Sequence, residues 1–253
     1  MSQTSASSAS SEPRDWERWL ATARDWVHAV ERAYVAAAFA PAASAASAAA
    51  DAATPTASAA PASFAAAPGS ADASSSAPAP RSGAAPSSAA APSDLALAAA
   101  AAAGAVASRF LAIGTPRSIG LVGDPTAAAL SLAAHRVWFQ PADLRCAGAA
   151  SPFAGQLGGR AVSLDEALAA DIVCIHAPLS LTAAQLRRGT HVNALAAGIT
   201  FDDELRALAT IADEASALPA LAAGLRDGRQ LDELTLFVAG DLAIARRALA
   251  TLR

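Results

Sequence analysis

The chain has 253 residues, 54% of them hydrophobic by type but only 5% aromatic, and a formal net charge of −4. Much of the hydrophobic fraction is alanine, which buries little area per residue, so the composition promises a smaller core than the length suggests. The mild acidity excludes the basic footprint of a nucleic-acid binder, and all 18 basic residues are arginine, so no lysine is present to form a Schiff base or clamp a phosphate.

The N-terminus, Met1 to Pro13, is polar and Ser-rich, without the apolar run of a secretory signal, which makes a cytoplasmic protein the expectation. A helix is predicted from about Pro13 to Ala38, with Ser11 as its cap and Pro13 in the first turn. Trp16, Trp19, Leu20, Ala23, Trp26, Val27, Val30 and Tyr34 recur at the three-and-four spacing of one apolar face. Such a stripe needs a partner surface, either the chain's own core or a second protein. From Pro41 to Ser93 the sequence is almost entirely Ala, Ser and Pro, a composition that cannot offset its conformational entropy by burial. It reads as a disordered linker. The predicted organisation is therefore residues 1–40 as an amphipathic helix, 41–93 as a low-complexity linker and 94–253 as a folded domain.

A second helix is predicted over Asp94 to Leu111. The stretch Leu95 to Ile113 is about long enough to span a bilayer, but it is mostly alanine and contains Arg109, so a soluble helix and no membrane partner are expected. Strands then alternate with helices. The strands are Ser118–Val122, Leu144–Ala147, Ile172–Ile175, His191–Leu195 and Leu234–Val238. The helices are Thr126–Ala134, Leu164–Ala169 after Ser163, Ala183–Arg187, Asp203–Ala209 and Leu242–Leu252. This alternation implies an α/β fold with a doubly wound parallel sheet of the Rossmann type. Cys146 and Cys174 fall in apolar strand-like runs and read as buried structural thiols rather than a disulfide or metal site.

Between the first strand and its helix lies Gly123-Asp-Pro-Thr-Ala-Ala128, where a phosphate-binding G-x-G-x-x-G/A loop belongs. Gly123 supplies the tight turn and Ala128 the small packing residue, but the middle glycine is Pro125, which has a ring and no N–H. Asp124 is a good N-cap and Pro125 a good first helical residue. A carboxylate then stands where a helix start otherwise receives phosphate, which predicts weakened or lost dinucleotide binding. The end of the second strand, Cys146 to Ala150, carries no acid for ribose hydroxyls, and Arg145 before it faces either solvent or a ligand. Among the four histidines, His191 reads as structural. His176 ends a strand at the ligand face, in ligand contact or partly buried, and His28 and His135 are surface or packing residues. No Ser-His-Asp or metal-ligand spacing occurs, so neither a catalytic residue nor a metal site is assigned.

The run Gly189-Thr-His-Val-Asn-Ala-Leu195, with Leu234-Thr-Leu-Phe237 and Leu242-Ala-Ile244, resembles the ornithine cyclodeaminase/μ-crystallin family, which includes ketimine reductases and some alanine dehydrogenases. Ala105 to Ala112 and Asp25 to Tyr34 fit the same pattern, so the resemblance covers most of residues 15–38 and 95–253. It implies NAD(P) as cofactor, met by Gly123, Asp124, Ala194, Leu195, Ala196 and Ala197. It also implies that the Ala/Ser/Pro segment replaces most of the family's substrate and dimerisation domain. The family's Arg-Thr pair for substrate falls near Ala99 and Ala100, its proposed catalytic Asp on Gly198, and a following Lys on Asp202. Its Ser/Thr-Gly before the last helix reads Ala239-Gly-Asp241, and the usual later Asp is Arg246. The expectation is a degenerate member with weak or no catalysis, a pseudoenzyme acting as a binding or partner protein, associating with itself or a related paralogue through the N-terminal helix. The alternatives are an active enzyme transferring hydride at an amino- or imino-acid carbon, of the ornithine cyclodeaminase or ketimine reductase type, and a linker-tethered structural module.

Overall fold

The computed structural model describes residues 15–40, 94–230 and 232–252, with the side chains of 15–21 left out. The expected helix start at Ser11 and Pro13, the side chains of Trp16, Trp19 and Leu20, and the expected linker 41–93 lie outside the described residues.

Helix α1 (Asp15–Ala38) is followed by α2 (Asp94–Leu111), and both lie in one compact unit with the rest of the described chain. The first βα unit is β1 (Ser118–Gly123) and α3 (Pro125–His135), followed by β2 (Asp143–Ala147). A 3₁₀ turn (Gly148–Phe153) and the one-turn α4 (Ala154–Leu157) lead to β3 (Arg160–Ala161), α5 (Leu164–Leu168) and β4 (Ile172–His176). Beyond them run β5 (Ser180–Leu181), β6 (His191–Ala194), β7 (Thr200–Phe201), α6 (Asp203–Leu208) and β8 (Ala209–Asp213). The described chain closes with α7 (Ala217–Ala222), β9 (Leu234–Val238) and α8 (Ala243–Ala250).

Seven strands form one sheet in the order β3-β2-β1-β4-β6-β9-β8, every neighbouring pair parallel, while β5 and β7 make a separate two-stranded parallel ribbon. This is the doubly wound α/β arrangement expected from the alternation. Successive side chains on each strand face opposite layers. Ile119 and Leu121 of β1 and Ile172 and Cys174 of β4 pack under α3, whereas Val122, Val173 and Ile175 pack with α5 on the other face.

The layer over the first face is built around α2. Its buried run from Ala98 to Ser108 is almost all alanine and glycine, so its backbone lies close to the sheet. A Cβ on Gly104 would stand 3.2 Å from Leu195 Cδ2 and 3.3 Å from Asn193 Oδ1. By length and composition α2 could cross a membrane, but here it is a core helix. Helix α1 covers α2 from outside, with Trp26, Val27, Val30 and Tyr34 all buried. From Ala23 to Tyr34 the apolar stripe is thus filled by the chain's own core. Helix α1 lies in one unit with residues 92–253, as a layer of its core.

Several expected boundaries are corrected. Ala183–Arg187 is only a 3₁₀ turn, Ala183–Gln185, because Leu186 is already extended. The helix expected to Ala209 stops at Leu208, since Ala209 begins the edge strand β8, which is half exposed and carries a weak apolar pattern. The closing helix spans Ala243–Ala250, with Leu242 in the left-handed region at its N-cap, φ 53°. The short β3, β5 and β7, the edge strand β8, and α7 have too few periodic residues to stand out in the sequence.

Leu242 offers no side-chain cap, and the buried Glu214 supplies one from a distance: its carboxylate accepts from Ala245 N at 2.9 Å and Ile244 N at 3.4 Å. It also accepts from the Tyr34 hydroxyl at 2.9 Å, tying α1 to the start of α8. Burial and then the neighbouring Glu214 carboxylate push the Tyr34 pKa far above its ordinary value. Tyr34→Phe keeps the ring and removes the donor to a buried carboxylate, so it is expected to lower unfolding stability by about 1.5–3 kcal/mol. Urea denaturation followed by circular dichroism measures this, and an unchanged midpoint refutes the anchoring role.

Candidate functional site

Strand order reverses between β1 and β4, and the crevice beyond the carboxyl ends of those strands is where doubly wound sheets bind ligands. A cleft of about 440 Å³ opens there between Val122, Gly123 and Asp124 after β1, Gly148 and Ala149 after β2, and Ala177–Leu179 after β4. Gly123 has φ 106°, and a Cβ on it would stand 2.6 Å from the His176 carbonyl carbon and 2.8 Å from Ala177 N. Only glycine fits this turn.

The start of α3 follows the sequence reading. Asp124 is the N-cap and its Oδ1 accepts from Ala127 N at 2.8 Å, with Pro125 opening the helix. The donor inventory of this helix start is nearly exhausted. Asp124 N points to the His176 carbonyl at 3.4 Å, Pro125 has no N–H, and Ala127 N is held by the Asp124 carboxylate. Ala128 N donates to Asp124 O at 2.9 Å. Among the described residues, only Thr126 N of this first turn is left for a ligand. A pyrophosphate needs several such donors and a positive helix end, so these residues do not fit it.

Of the six positions expected to meet a cofactor, Gly123 and Asp124 line the cleft. Ala194 is buried at the end of β6, and Leu195, Ala196 and Ala197 follow it. These four lie on the same carboxyl edge, one strand beyond β4, but do not line the cleft, and Leu195 turns back against α2. Sequence reading missed Gly148, Ala149 and the Ala177–Leu179 wall, because apolar loop residues carry no chemical signal of their own. Arg145 bonds Asp143 and the Glu166 carbonyl, so it does not reach the cleft.

His28 is half exposed and sits edge-on to Trp138, 5.8 Å between ring centroids. His135 is fully buried, as is His191, in a polar chain under α2 and α3. His135 Nδ1 donates to the Ser131 carbonyl at 2.7 Å, so its Nε2 accepts from the Ser108 hydroxyl at 2.9 Å. Ser108 Oγ accepts from Asn193 Nδ2 at 2.9 Å, and Asn193 Oδ1 accepts from His191 Nε2 at 3.1 Å. His191 Nδ1 meets Thr235 Oγ1 at 2.8 Å, and that hydroxyl also reaches the Leu111 carbonyl at 2.8 Å. Cys174 lies beside this chain, 3.7 Å from Asn193 Nδ2, a buried free thiol whose pKa burial pushes up to about 12. Cys146 is likewise buried and free. His176, half-buried at the end of β4, bonds Ser131 Oγ at 3.0 Å and does not line the cleft. No cluster among the described residues has the make-up of a metal site.

No family model matches the sequence, and no curated protein does. Solved structures do match. An archaeal alanine dehydrogenase dimer with bound NAD superposes with a TM-score of 0.52 at 23% identity, over 60% of this chain and 61% of that one. The iminosuccinate reductase of Paracoccus denitrificans in complex with NAD+ gives 0.54 at 22%, over 62% of each chain. The Thermococcus litoralis Δ1-pyrroline-2-carboxylate reductase in complex with NADH and L-proline gives 0.54 at 21%, over 62% of this chain and 63% of that one. The fold is the one these three enzymes share over the matched part. The chain spans about three-fifths of their length.

Burial lowers the pKa of His135 to about 4 and of His191 to about 3. Both rings are therefore neutral when folded, and unfolding takes up protons once the pH falls below their ordinary value of 6.5. Their contribution is full above that pH and is lost as pH falls toward the folded values, at up to ~1.4 kcal/mol per pH unit for each ring. The urea midpoint is expected to be flat above pH 7 and to drop steadily from 6.5 to 5, before most carboxylates titrate. A midpoint constant across that window contradicts the buried neutral pair.

Proposed function

We propose that this chain is a degenerate relative of the ornithine cyclodeaminase/μ-crystallin enzymes, keeping the nucleotide-domain scaffold without dinucleotide-dependent catalysis, and that it acts as a binding or partner protein. The single observation that carries this reading is the donor count at the start of α3. One carboxylate holds an N–H that a phosphate would need, a proline removes another, and a third points to a backbone carbonyl. Asp124 adds a negative charge where the pyrophosphate of an NAD-type cofactor would lie. Simple charge repulsion and lost hydrogen bonds act in the same direction. The positions matched to the family's catalytic acid and substrate clamps, Gly198, Ala99 and Ala100, carry no ionisable group, and the latter two are buried in α2.

Hydride transfer at an amino- or imino-acid carbon remains the second reading, favoured by the likeness to three enzymes solved with NAD+, NADH or NAD. The partner reading assigns self-association, or pairing with a related chain, to the beginning of α1. Trp16 and Trp19 lie there.

Titration with NADH, followed by nucleotide fluorescence, separates the two readings. The wild-type chain is expected to give no saturable signal, and tight binding overturns the proposal. The double substitution Asp124→Ala with Pro125→Gly frees the helix start and is expected to create saturable NADH binding. The lost cap should cost about 1 kcal/mol of stability. For the partner surface, Trp16→Ala with Trp19→Ala is expected to reduce association in sedimentation velocity, and an unchanged profile removes α1 from the interface.

A further inference from the structure

The large sheet ends in β3 on one side and β8 on the other, and the two edges are not alike. Strand β3 is only two residues long, and its Arg160 pairs with Asp143 and Glu166. Short length and fixed charge are common protections of an edge against pairing with another strand. Strand β8, Ala-Thr-Ile-Ala-Asp, carries no lysine, arginine or proline. Its one charge, Asp213, is turned onto Ser216, whose N–H and hydroxyl donate to the carboxylate at 2.7 and 2.9 Å. Ile211 is 41% exposed, and Leu208, just before the strand, is 61% exposed.

The ladder fixes which backbone groups face outward. Thr235 N donates to Thr190 O and Ala239 N to Ala194 O, so the odd-numbered residues of β9 bond β6 and the even-numbered ones turn to β8. With Ile211 level with Leu236, Thr210 and Ala212 carry the bonds to β9. The N–H and C=O groups of Ala209, Ile211 and Asp213 therefore point away from the sheet. Ala209 N is already held by Leu205 O. Apart from the Asp213 carbonyl, what remains is an acceptor at 209, a donor and an acceptor at 211, and a donor at 213. With the strand direction reversed, this row is its own complement.

We propose that β8 is a self-association surface, on which a second copy of this chain adds its own β8 antiparallel about a two-fold axis at Ile211. The two Ile211 residues exchange both backbone hydrogen bonds, and Asp213 N of each copy donates to Ala209 O of the other. The axis brings the exposed Ile211 side chains together on one face of a continuous sheet. Charge fits the same pairing: each Asp213 stands opposite an alanine, so no like charges meet. Helix α7, which packs beside β8, consists of Ala, Leu and Pro and brings no charge to the contact. The surface lies on a different element from the start of α1, so the two associations are separable by substitution.

Sedimentation velocity of the full chain over a concentration series is expected to show a reversible dimer. Ile211→Lys keeps every bond to β9 but sets two like charges on the axis, and is expected to raise the dimer dissociation constant at least about tenfold. Facing residues of a hydrogen-bonded antiparallel pair have Cα atoms about 5.5 Å apart, within reach of a disulfide. Ile211→Cys is therefore expected to cross-link to its copy under mild oxidation, roughly tenfold faster than Leu208→Cys, which is more exposed but off the axis. Cys146 and Cys174 are buried and add little background. Circular dichroism checks that each variant keeps the fold. A wild-type chain that stays monomeric throughout overturns the inference, as does an Ile211→Lys variant that associates like the wild type or a Leu208→Cys variant that cross-links as fast. Association lost in Trp16→Ala with Trp19→Ala but kept in Ile211→Lys places the contact on α1 and refutes the β8 pairing. The converse supports β8 and removes α1.

Discussion

Asn193 holds the centre of this protein. Its amide donates to Ser108 on α2 and accepts from His191 on β6, and through them it reaches His135 on α3 and Thr235 on β9. Two helices and two strands thus share one buried chain of hydrogen bonds. Such a chain penalises misplacement, because an orphaned buried donor costs its full desolvation. When His191 is neutral, the single Thr235 hydroxyl proton lies between two acceptors, His191 Nδ1 and the Leu111 carbonyl. The chain therefore fixes one register of α2 on the sheet, and any other would leave several polar groups unpaired.

That fixed register suits a core poor in large side chains. Alanine contributes little burial per residue, and α2 makes up the difference by approaching the sheet closely at Gly104. The larger apolar groups come from α1, where Trp26 and Tyr34 cover the outer side of α2. Glu214 then joins α1 to α8 through one carboxylate that serves three donors. The helical layer is thus a shell of small residues, pinned by polar contacts at its two ends and sealed by an aromatic helix.

At the carboxyl edge the same local economy has a chemical consequence. Asp124 and Pro125 make a self-sufficient helix start, and a helix that satisfies its own N-terminus has little left to offer an anion. Gly123 keeps the turn that brings β1 close to His176, so the crevice survives as a shape.

The sequence by itself determined the alternation of strands and helices, the doubly wound class and the Asp124–Pro125 helix start, because these depend on local periodicity and on the capping chemistry of adjacent residues. It also marked His191 and both cysteines as structural, from their place in apolar runs. It could not determine that His135 is wholly buried. On a helix of alanines its polarity looks like surface, and only the distant Ser108 and Asn193 make burial tolerable. Nor could it reveal Glu214 as a cap for a helix about thirty residues later, the edge strand β8, or the apolar cleft wall at Ala177–Leu179. Those features arise from residues far apart in the chain. Tertiary structure decided them because burial, remote capping and cavity shape belong to the spatial neighbourhood, which no local pattern encodes.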